Sequence, residues 1–253
     1  MRAAIRGIRA LAHAVGGWFT IVFTFPRLAQ AQRNERVQAW AREMLRILGI
    51  ALDVRGEPPA AGPMMLVANH ISWLDILVMH AARHCRFVAK ADIRHWPLIG
   101  TLATGGGTLY IERESRRDAM RVVHHMADSL RAGEIVAVFP EGTTTDGTKL
   151  LPFHANLVQA AISAHAPVQP VGLRFEDRAT GEISFAARYV DDDTLVGSVW
   201  RLLTSAPLTA VVRFGEPQGS EGRDRRVWAR DLYVDVDALR TKGGSPGFPP
   251  SRE

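Results

Sequence analysis

The stretch MMLVANHISWLDI, residues 64–76, joins five apolar residues to a short polar segment. A continuous apolar run of this length predicts a strand that is buried on both faces, as in a parallel sheet. If the strand ends at Asn69 and a helix begins near Ser72, His70 lies in the turn and Asp75 in the first helical turn. An aspartate there can orient the imidazole, or it can simply complement the helix N-terminus.

Short apolar runs recur along the chain and alternate with helical patterns. The runs lie at residues 64–68, 86–89, 108–112, 135–139, 168–175 and 210–214, and the helical patterns at 73–82, 115–131 and 154–165. This alternation predicts an α/β domain over residues 53–240, with a mainly parallel sheet flanked by helices. Residues 241–253 are rich in Gly, Pro and Ser, and we expect a disordered tail there.

Residues 1–52 are apolar and rich in arginine. Nine arginines lie within residues 1–55, where the acidic residues are only Glu35, Glu43 and Asp53. Basic residues that flank apolar ones favour an anionic membrane surface as partner. The uncharged stretch 10–26 is short of the ~20 residues that span a bilayer comfortably, but it is long enough to enter one leaflet. A cleaved secretory signal is an open alternative.

A second amphipathic pattern follows directly. Its apolar residues share one helical face: Val37, Trp40, Ala41, Met44, Leu45 and Leu48. The two segments together predict an N-terminal membrane-associated helical hairpin. Packing of the second helix on the protein's own core remains an equal alternative.

A second polar stretch, FPEGTTTDG, covers residues 139–147 and follows another apolar run. Gly142 lets the backbone approach a ligand closely, and Glu141 can hold a hydroxyl or order nearby donors. An ordinary strand-to-loop turn would have the same composition.

Two further stretches carry cations near predicted strand ends. GGGTLYIERES, residues 105–115, places Arg113 after a glycine run, where it can grip a phosphate or a carboxylate with two donors. It could equally pair with a neighbouring glutamate at the surface. KADIRHWPLIG, residues 90–100, contributes Lys90, which is similarly ambiguous.

These four stretches, in this order, resemble the glycerolipid acyltransferase family typified by bacterial 1-acylglycerol-3-phosphate acyltransferase. NHISWLD matches the NHxSxxD block, GGTLYIER the glycine-to-arginine block and FPEGT the FPEG block. APVQPVGL, residues 166–173, matches the final proline-containing strand, and the resemblance covers roughly residues 60–215. HxxxxD alone is a weak signal, whereas HxxxxD followed by FPEG is specific.

The resemblance implies transfer of a fatty acyl group from acyl-CoA or acyl-carrier protein to the free hydroxyl of a lysolipid. It makes His70 the general base and Asp75 its orienting partner, with no acyl-enzyme, no metal and no cofactor. The residues implied in binding the acceptor are Lys90, Arg113, Glu141, Gly142 and Thr143. The first candidate acceptor is 1-acylglycerol-3-phosphate, and lyso-ornithine lipid is the alternative.

Two departures from the family pattern concern that acceptor. Members that use a phosphate acceptor usually carry FPEGTRS, but Thr144 stands here in place of the arginine. They often continue with Phe-Lys-x-Gly, where this chain has Phe153, His154, Ala155 and Asn156. The FPEGTTTDG form is more similar to the branch that acylates lyso-ornithine lipid.

Other classes of protein fit the sequence less well. We expect no nucleic-acid partner, because the basic excess is confined to the apolar N-terminal segment. A metal site built from His80, His84 and Cys85 lacks a second ligand cluster. A non-catalytic membrane-binding module would have no use for the motif residues together. We expect a monotopic or single-helix-anchored protein of the inner (cytoplasmic) membrane, with its active site facing the cytoplasm.

Overall fold

The apolar run that begins at Met64 is the central strand of a seven-stranded sheet. The computed structural model describes residues 2–111, 116–190 and 192–241. Its strands are β1 (Ala51–Arg55), β2 (Met64–Ala68), β3 (Arg86–Lys90), β4 (Leu109–Ile111), β5 (Ile135–Val138), β6 (Val168–Asp177) and β7 (Leu208–Phe214). All five residues of β2 are buried, as expected for a strand covered on both faces.

The strand order is β1-β7-β6-β2-β5-β3-β4. Neighbours run parallel except β6 and β7, which pair antiparallel. The carboxyl ends of β2, β3, β4, β5 and β6 therefore meet at one edge of the sheet, where open α/β sheets place their sites.

Helices cover both faces of the sheet. They are α1 (Arg2–Phe19), α2 (Gln30–Leu48), α3 (Leu74–Ala82), α4 (Ile99–Gly105), α5 (Arg116–Arg131), α6 (Ala155–Ala164), α7 (Leu195–Thr204) and α8 (Arg225–Thr241). One apolar core joins the sheet to α2, α3 and α7, and the other joins it to α5, α6 and α8. The predicted mainly parallel α/β fold is confirmed.

Every predicted strand and helix of the main domain is present, with ends shifted by one or two residues. The predicted end of the strand 108–112 and the predicted start of the helix 115–131 lie outside the described residues. So does the predicted tail at 241–253, except for residue 241, which ends α8. The sequence patterns missed β1, α4, α7 and α8. The predicted boundary between residues 52 and 53 falls within β1, and the division into segments stays a prediction.

The N-terminal segment forms two helices, of which α2 buries its large apolar residues and α1 exposes them. The apolar face of α2 packs on the protein's own core, which was the alternative left open for it. In α1 the small residues Ala3, Ala10 and Ala14 face the core, and Gly17 is buried. Its larger apolar residues face away and are exposed, namely Ile5, Ile8, Leu11, Val15 and Phe19. The outer face of α1 is therefore more apolar than its inner face.

A reciprocal pair of hydrogen bonds attaches α1 to α2. His13 Nε2 lies 3.0 Å from the Trp40 carbonyl oxygen, and Trp40 Nε1 donates to the His13 carbonyl oxygen over 3.1 Å. The segment Arg2–Arg27 is long and apolar enough to cross a membrane, and only 11% of its most apolar window is buried. So low a buried share is unlike that of a core helix in a soluble protein.

Candidate active site

The turn after β2 is fixed to β6 by the side chain of Asn69. Its Nδ2 donates to the Leu173 carbonyl oxygen over 3.0 Å, and its Oδ1 accepts from the Leu173 amide over 2.7 Å. Asn69 is buried, so both halves of its amide are satisfied by one residue of the neighbouring strand. The first residue of the NHISWLD stretch therefore positions the turn that follows it.

One oxygen of Asp75 organises the rest of that turn. Its Oδ2 lies 2.8 Å from His70 Nδ1 and accepts the backbone amides of Ile71 over 2.6 Å and Ser72 over 2.9 Å. Asp75 is fully buried. A carboxylate oxygen accepts, so in this geometry the hydrogen of the neutral His70 ring lies on Nδ1 and Nε2 is the nitrogen without one. Asp75 both caps the start of α3 and orients the imidazole.

The ring of His70 is held flat against aromatic neighbours. It stacks on Phe139 with 4.0 Å between ring centroids and 6° between planes, and Phe139 stacks in turn on Phe87. The His70 side chain is 19% exposed, so solvent reaches one part of the imidazole. No hydrogen bond to its Nε2 is found among the described residues. That nitrogen is available to a substrate hydroxyl.

Glu141 braces the turn from the neighbouring strand. Its Oε1 accepts the backbone amide of His70 over 2.7 Å, and its Oε2 accepts that of Leu151 over 2.9 Å. Burial raises the pKa of the Glu141 carboxyl, and these two amides oppose the effect. Each carboxylate oxygen of Glu141 accepts a hydrogen bond from one backbone amide, as expected of a residue that orders nearby donors.

The loop after Glu141 lies directly against the turn that follows β2. Gly142 has a φ of 74°, and a Cβ at that position would lie 2.9 Å from His154 Nε2. Glycine is therefore required by both backbone conformation and space. The Thr145 amide donates to the His70 carbonyl oxygen over 2.9 Å, while Thr143 is exposed. The imidazole of His154 packs against Gly142. This histidine occupies the position of the lysine in the Phe-Lys-x-Gly pattern described above.

The other predicted site residues are placed less closely. Lys90 is exposed at the end of β3, on the same sheet edge and two strands away from β2. Arg113 lies outside the described residues. The structure thus brings together His70, Asp75, Glu141 and Gly142.

His80, His84 and Cys85 were weighed above as metal ligands and set aside. No group of three His, Cys, Asp or Glu side chains within the described ranges could hold a metal ion. Burial lowers the pKa of His80 to about 3 and that of His84 to about 4. Both imidazoles are therefore neutral near neutral pH.

Three contacts were not anticipated from the sequence. Phe139 was assigned only as the last apolar residue of a strand, although it stacks on His70. Trp73 Nε1 donates to Ser198 Oγ over 3.0 Å, and the Thr144 hydroxyl donates to the Tyr189 carbonyl oxygen over 2.5 Å. These contacts join residues far apart in the chain, so no local pattern signals them.

A buried carboxylate that orients a partly exposed histidine beside a glycine turn defines a site that can remove a proton from a hydroxyl acceptor. The sequence model of the family described as Acyltransferase matches residues 51–174. Over 235 residues the chain is 34% identical to the lyso-ornithine lipid O-acyltransferase of Pseudomonas aeruginosa, covering 92% of this chain and 90% of that protein.

A second relative is named for a different acceptor. Over 209 residues the chain is 39% identical to the 1-acyl-sn-glycerol-3-phosphate acyltransferase of Neisseria gonorrhoeae, covering 82% of this chain and 81% of that protein. The fold matches the crystal structure of the 1-acyl-sn-glycerophosphate acyltransferase of Thermotoga maritima. That match has a TM-score of 0.65 and 19% identity, and it covers 95% of this chain and 100% of the other. The chain belongs to the glycerolipid acyltransferase family and is an enzyme that transfers an acyl group to a lysolipid.

We expect Glu141→Gln to lower the free energy of unfolding by about 1–3 kcal/mol, the cost of leaving a buried donor without its acceptor. Glutamine has one acceptor oxygen, so its amide nitrogen would face one of the two backbone N–H groups. Chemical denaturation measures the change. The matched control is Glu182→Gln at an exposed position. Equal stability of the two variants would contradict the bracing role.

Proposed function

We propose that His70 is the general base of acyl transfer and that Asp75 positions it. The observation that carries this proposal is the 2.8 Å contact between His70 Nδ1 and Asp75 Oδ2, which leaves Nε2 free to accept a proton. The acceptor hydroxyl binds at Nε2, and its oxygen attacks the carbonyl carbon of an acyl thioester. Acyl-CoA or acyl-carrier protein supplies that thioester.

Protons and bonds balance without a covalent enzyme intermediate. His70 Nε2 takes the hydroxyl proton as the new ester bond forms, and the carbon–sulfur bond then breaks. The imidazolium returns its proton to the departing thiolate. Cys85, the only cysteine in the chain, is buried, and burial raises the pKa of its thiol. It is therefore unsuited to act as a nucleophile.

The first candidate acceptor is 1-acylglycerol-3-phosphate. The Neisseria relative is named for this acceptor, and Lys90 adds an exposed cation to the same sheet edge as His70. We infer that Lys90, Arg113, Gly142 and Thr143 contact the polar head, while Glu141 acts through the backbone of the catalytic turn.

Lyso-ornithine lipid is the second candidate, favoured by one specific observation. Thr144 stands where phosphate-acceptor members carry arginine, and its hydroxyl is held by the Tyr189 carbonyl oxygen. The side chain at this position thus supplies no charge to a phosphate. The Pseudomonas relative, named for this acceptor, matches nearly the whole chain.

The exposed apolar face of α1 supports a membrane location. Its outward residues lie in a helical stripe, and Arg2, Arg9 and Arg27 are exposed beside them. Such a helix lies in the interface of an anionic membrane, with its arginines at the headgroups. We place the protein on the cytoplasmic side of the inner membrane, where thioester donors are available.

His70→Ala should lower turnover about 100- to 10,000-fold, because the hydroxyl proton loses its acceptor. Asp75→Asn should lower kcat by about 100-fold, because the neutral amide oxygen that takes the place of Oδ2 no longer stabilises the imidazolium that forms during proton transfer. Acyl transfer by purified protein in detergent measures both. The matched control is His125→Ala, at an exposed position on α5. Undiminished activity of His70→Ala would refute the assigned mechanism.

Parallel assays with lysophosphatidic acid and lyso-ornithine lipid assign the acceptor. We expect product from the phosphate acceptor, whereas product from the ornithine lipid alone would assign the second candidate. Thr144→Arg should shift the ratio of kcat/KM values roughly tenfold towards the phosphate acceptor, as one charge-assisted hydrogen bond would. Thr144→Val loses the Tyr189 contact without adding charge. An equal shift in both variants would show that charge is not the cause.

A further inference from the structure

We propose that α7 is a second membrane-contacting element, whose Val196 and Trp200 enter the same leaflet as α1. The inference rests on the membrane contact of α1 proposed above and extends it to a helix from the middle of the acyltransferase domain. The occupant of this surface is a lipid bilayer with anionic headgroups.

The outer face of α7 is apolar and uncovered. Val196 is 81% exposed, the highest value for a large apolar residue within the described ranges, and Trp200 is 57% exposed. The two lie four residues apart and so share one face of the helix. The opposite face carries the buried residues Ser198 and Leu202, while Leu203, on the same side as Val196 and Trp200, is buried where α7 meets α1. Tryptophan is typical of the membrane interface, where its ring is partly apolar and partly wet.

This face continues the apolar surface of α1. The two helices are in contact, and Leu203 Cδ1 lies 3.4 Å from where a Cβ at Gly7 would be. Scattered exposed apolar residues are normal in soluble proteins. Here two adjacent helices both turn their large apolar side chains outward, which is the arrangement of an interfacial surface.

The charges near α7 are compatible with anionic lipids. Arg201 Nη1 contacts Asp193 Oδ1 over 2.9 Å, and this bond lowers the pKa of Asp193 to about 2. Of the three aspartates that precede the helix, Asp193 is thus matched by an arginine on the helix. Arg2 and Arg9 on α1 add exposed positive charge, which an anionic membrane surface attracts.

Direct contacts join α7 to the catalytic turn. Trp73, which lies between His70 and Asp75 in the sequence, donates from Nε1 to Ser198 Oγ over 3.0 Å. The Tyr189 amide, in the loop before α7, donates to the Ile71 carbonyl oxygen over 3.1 Å. Insertion of α7 therefore fixes the distance of the catalytic turn from the bilayer, so a lysolipid can present its hydroxyl while its acyl chain stays in the leaflet.

The first experiment measures binding to vesicles of phosphatidylethanolamine and phosphatidylglycerol. The Val196→Ser/Trp200→Ser variant should bind about tenfold more weakly or worse, because its apolar contact area is lost. The matched control is Val227→Ser/Val234→Ser on α8, whose residues are exposed on the other face of the sheet. This control should bind like the wild type. An equal loss in both variants would overturn the proposal.

Further variants distinguish a failure of the α7 contact from a failure of the α1 contact on which it rests. Ile8→Ser/Leu11→Ser tests α1 alone. If that variant is released from vesicles while the α7 variant binds like the wild type, α7 is not a membrane contact and α1 remains one. If both variants stay bound, the α1 contact fails as well.

The α7 variant should keep wild-type activity towards short-chain, water-soluble substrates, which shows that the site is intact. A changed oligomeric state with unchanged vesicle binding would assign the face to a second copy of the chain and overturn the proposal.

A labelled cysteine tests insertion directly. Cys85 is buried and its thiol pKa is raised by burial, so a maleimide fluorophore should react with Val196→Cys at the introduced residue. Spin-labelled lipid should quench a fluorophore at residue 196 and leave one at Val234→Cys bright. Equal brightness at the two positions would overturn the proposal.

Discussion

A single carboxylate oxygen, Asp75 Oδ2, accepts two backbone amides and faces His70 Nδ1. The same contacts fix the conformation of the turn after β2 and the tautomer of the histidine. The other oxygen, Oδ1, is buried without a hydrogen-bond partner among the described residues, so the interactions of the carboxylate are concentrated on one side. The orientation of the His70 imidazole depends on this one buried carboxylate.

The parallel sheet brings the other supports to that turn. Because β5 and β6 flank β2, Glu141 reaches the His70 amide from one side and Leu173 pairs with Asn69 from the other. Phe139 at the end of β5 supplies the flat surface on which the imidazole lies. The turn after β2 is thus held through its backbone and through the side chain of Asn69, and the plane of the His70 ring is fixed by stacking, as expected of a pre-organised site.

The sequence predicted those parts of the structure that depend on local patterns. The buried strand β2 and the five-residue spacing of His70 and Asp75 are local, and so the strand and the meeting of the two side chains could be foreseen. The position of α2 depends on which surface its apolar face meets, and a helical pattern does not distinguish a core from a membrane. The repeat of Trp228, Leu232 and Val236 could have revealed α8, whereas Gly197 weakens the pattern of α7.

Histidine ¹⁵N NMR measures the protonated ring nitrogen and tests the account most directly. The spectrum of His70, assigned by comparison with His70→Gln, should show the hydrogen on Nδ1 at alkaline pH. Asp75→Ala, which removes the acceptor of that hydrogen, should abolish this preference for Nδ1. A wild-type His70 with its hydrogen on Nε2 would contradict the proposal, because that nitrogen could not then accept the proton of the acceptor hydroxyl.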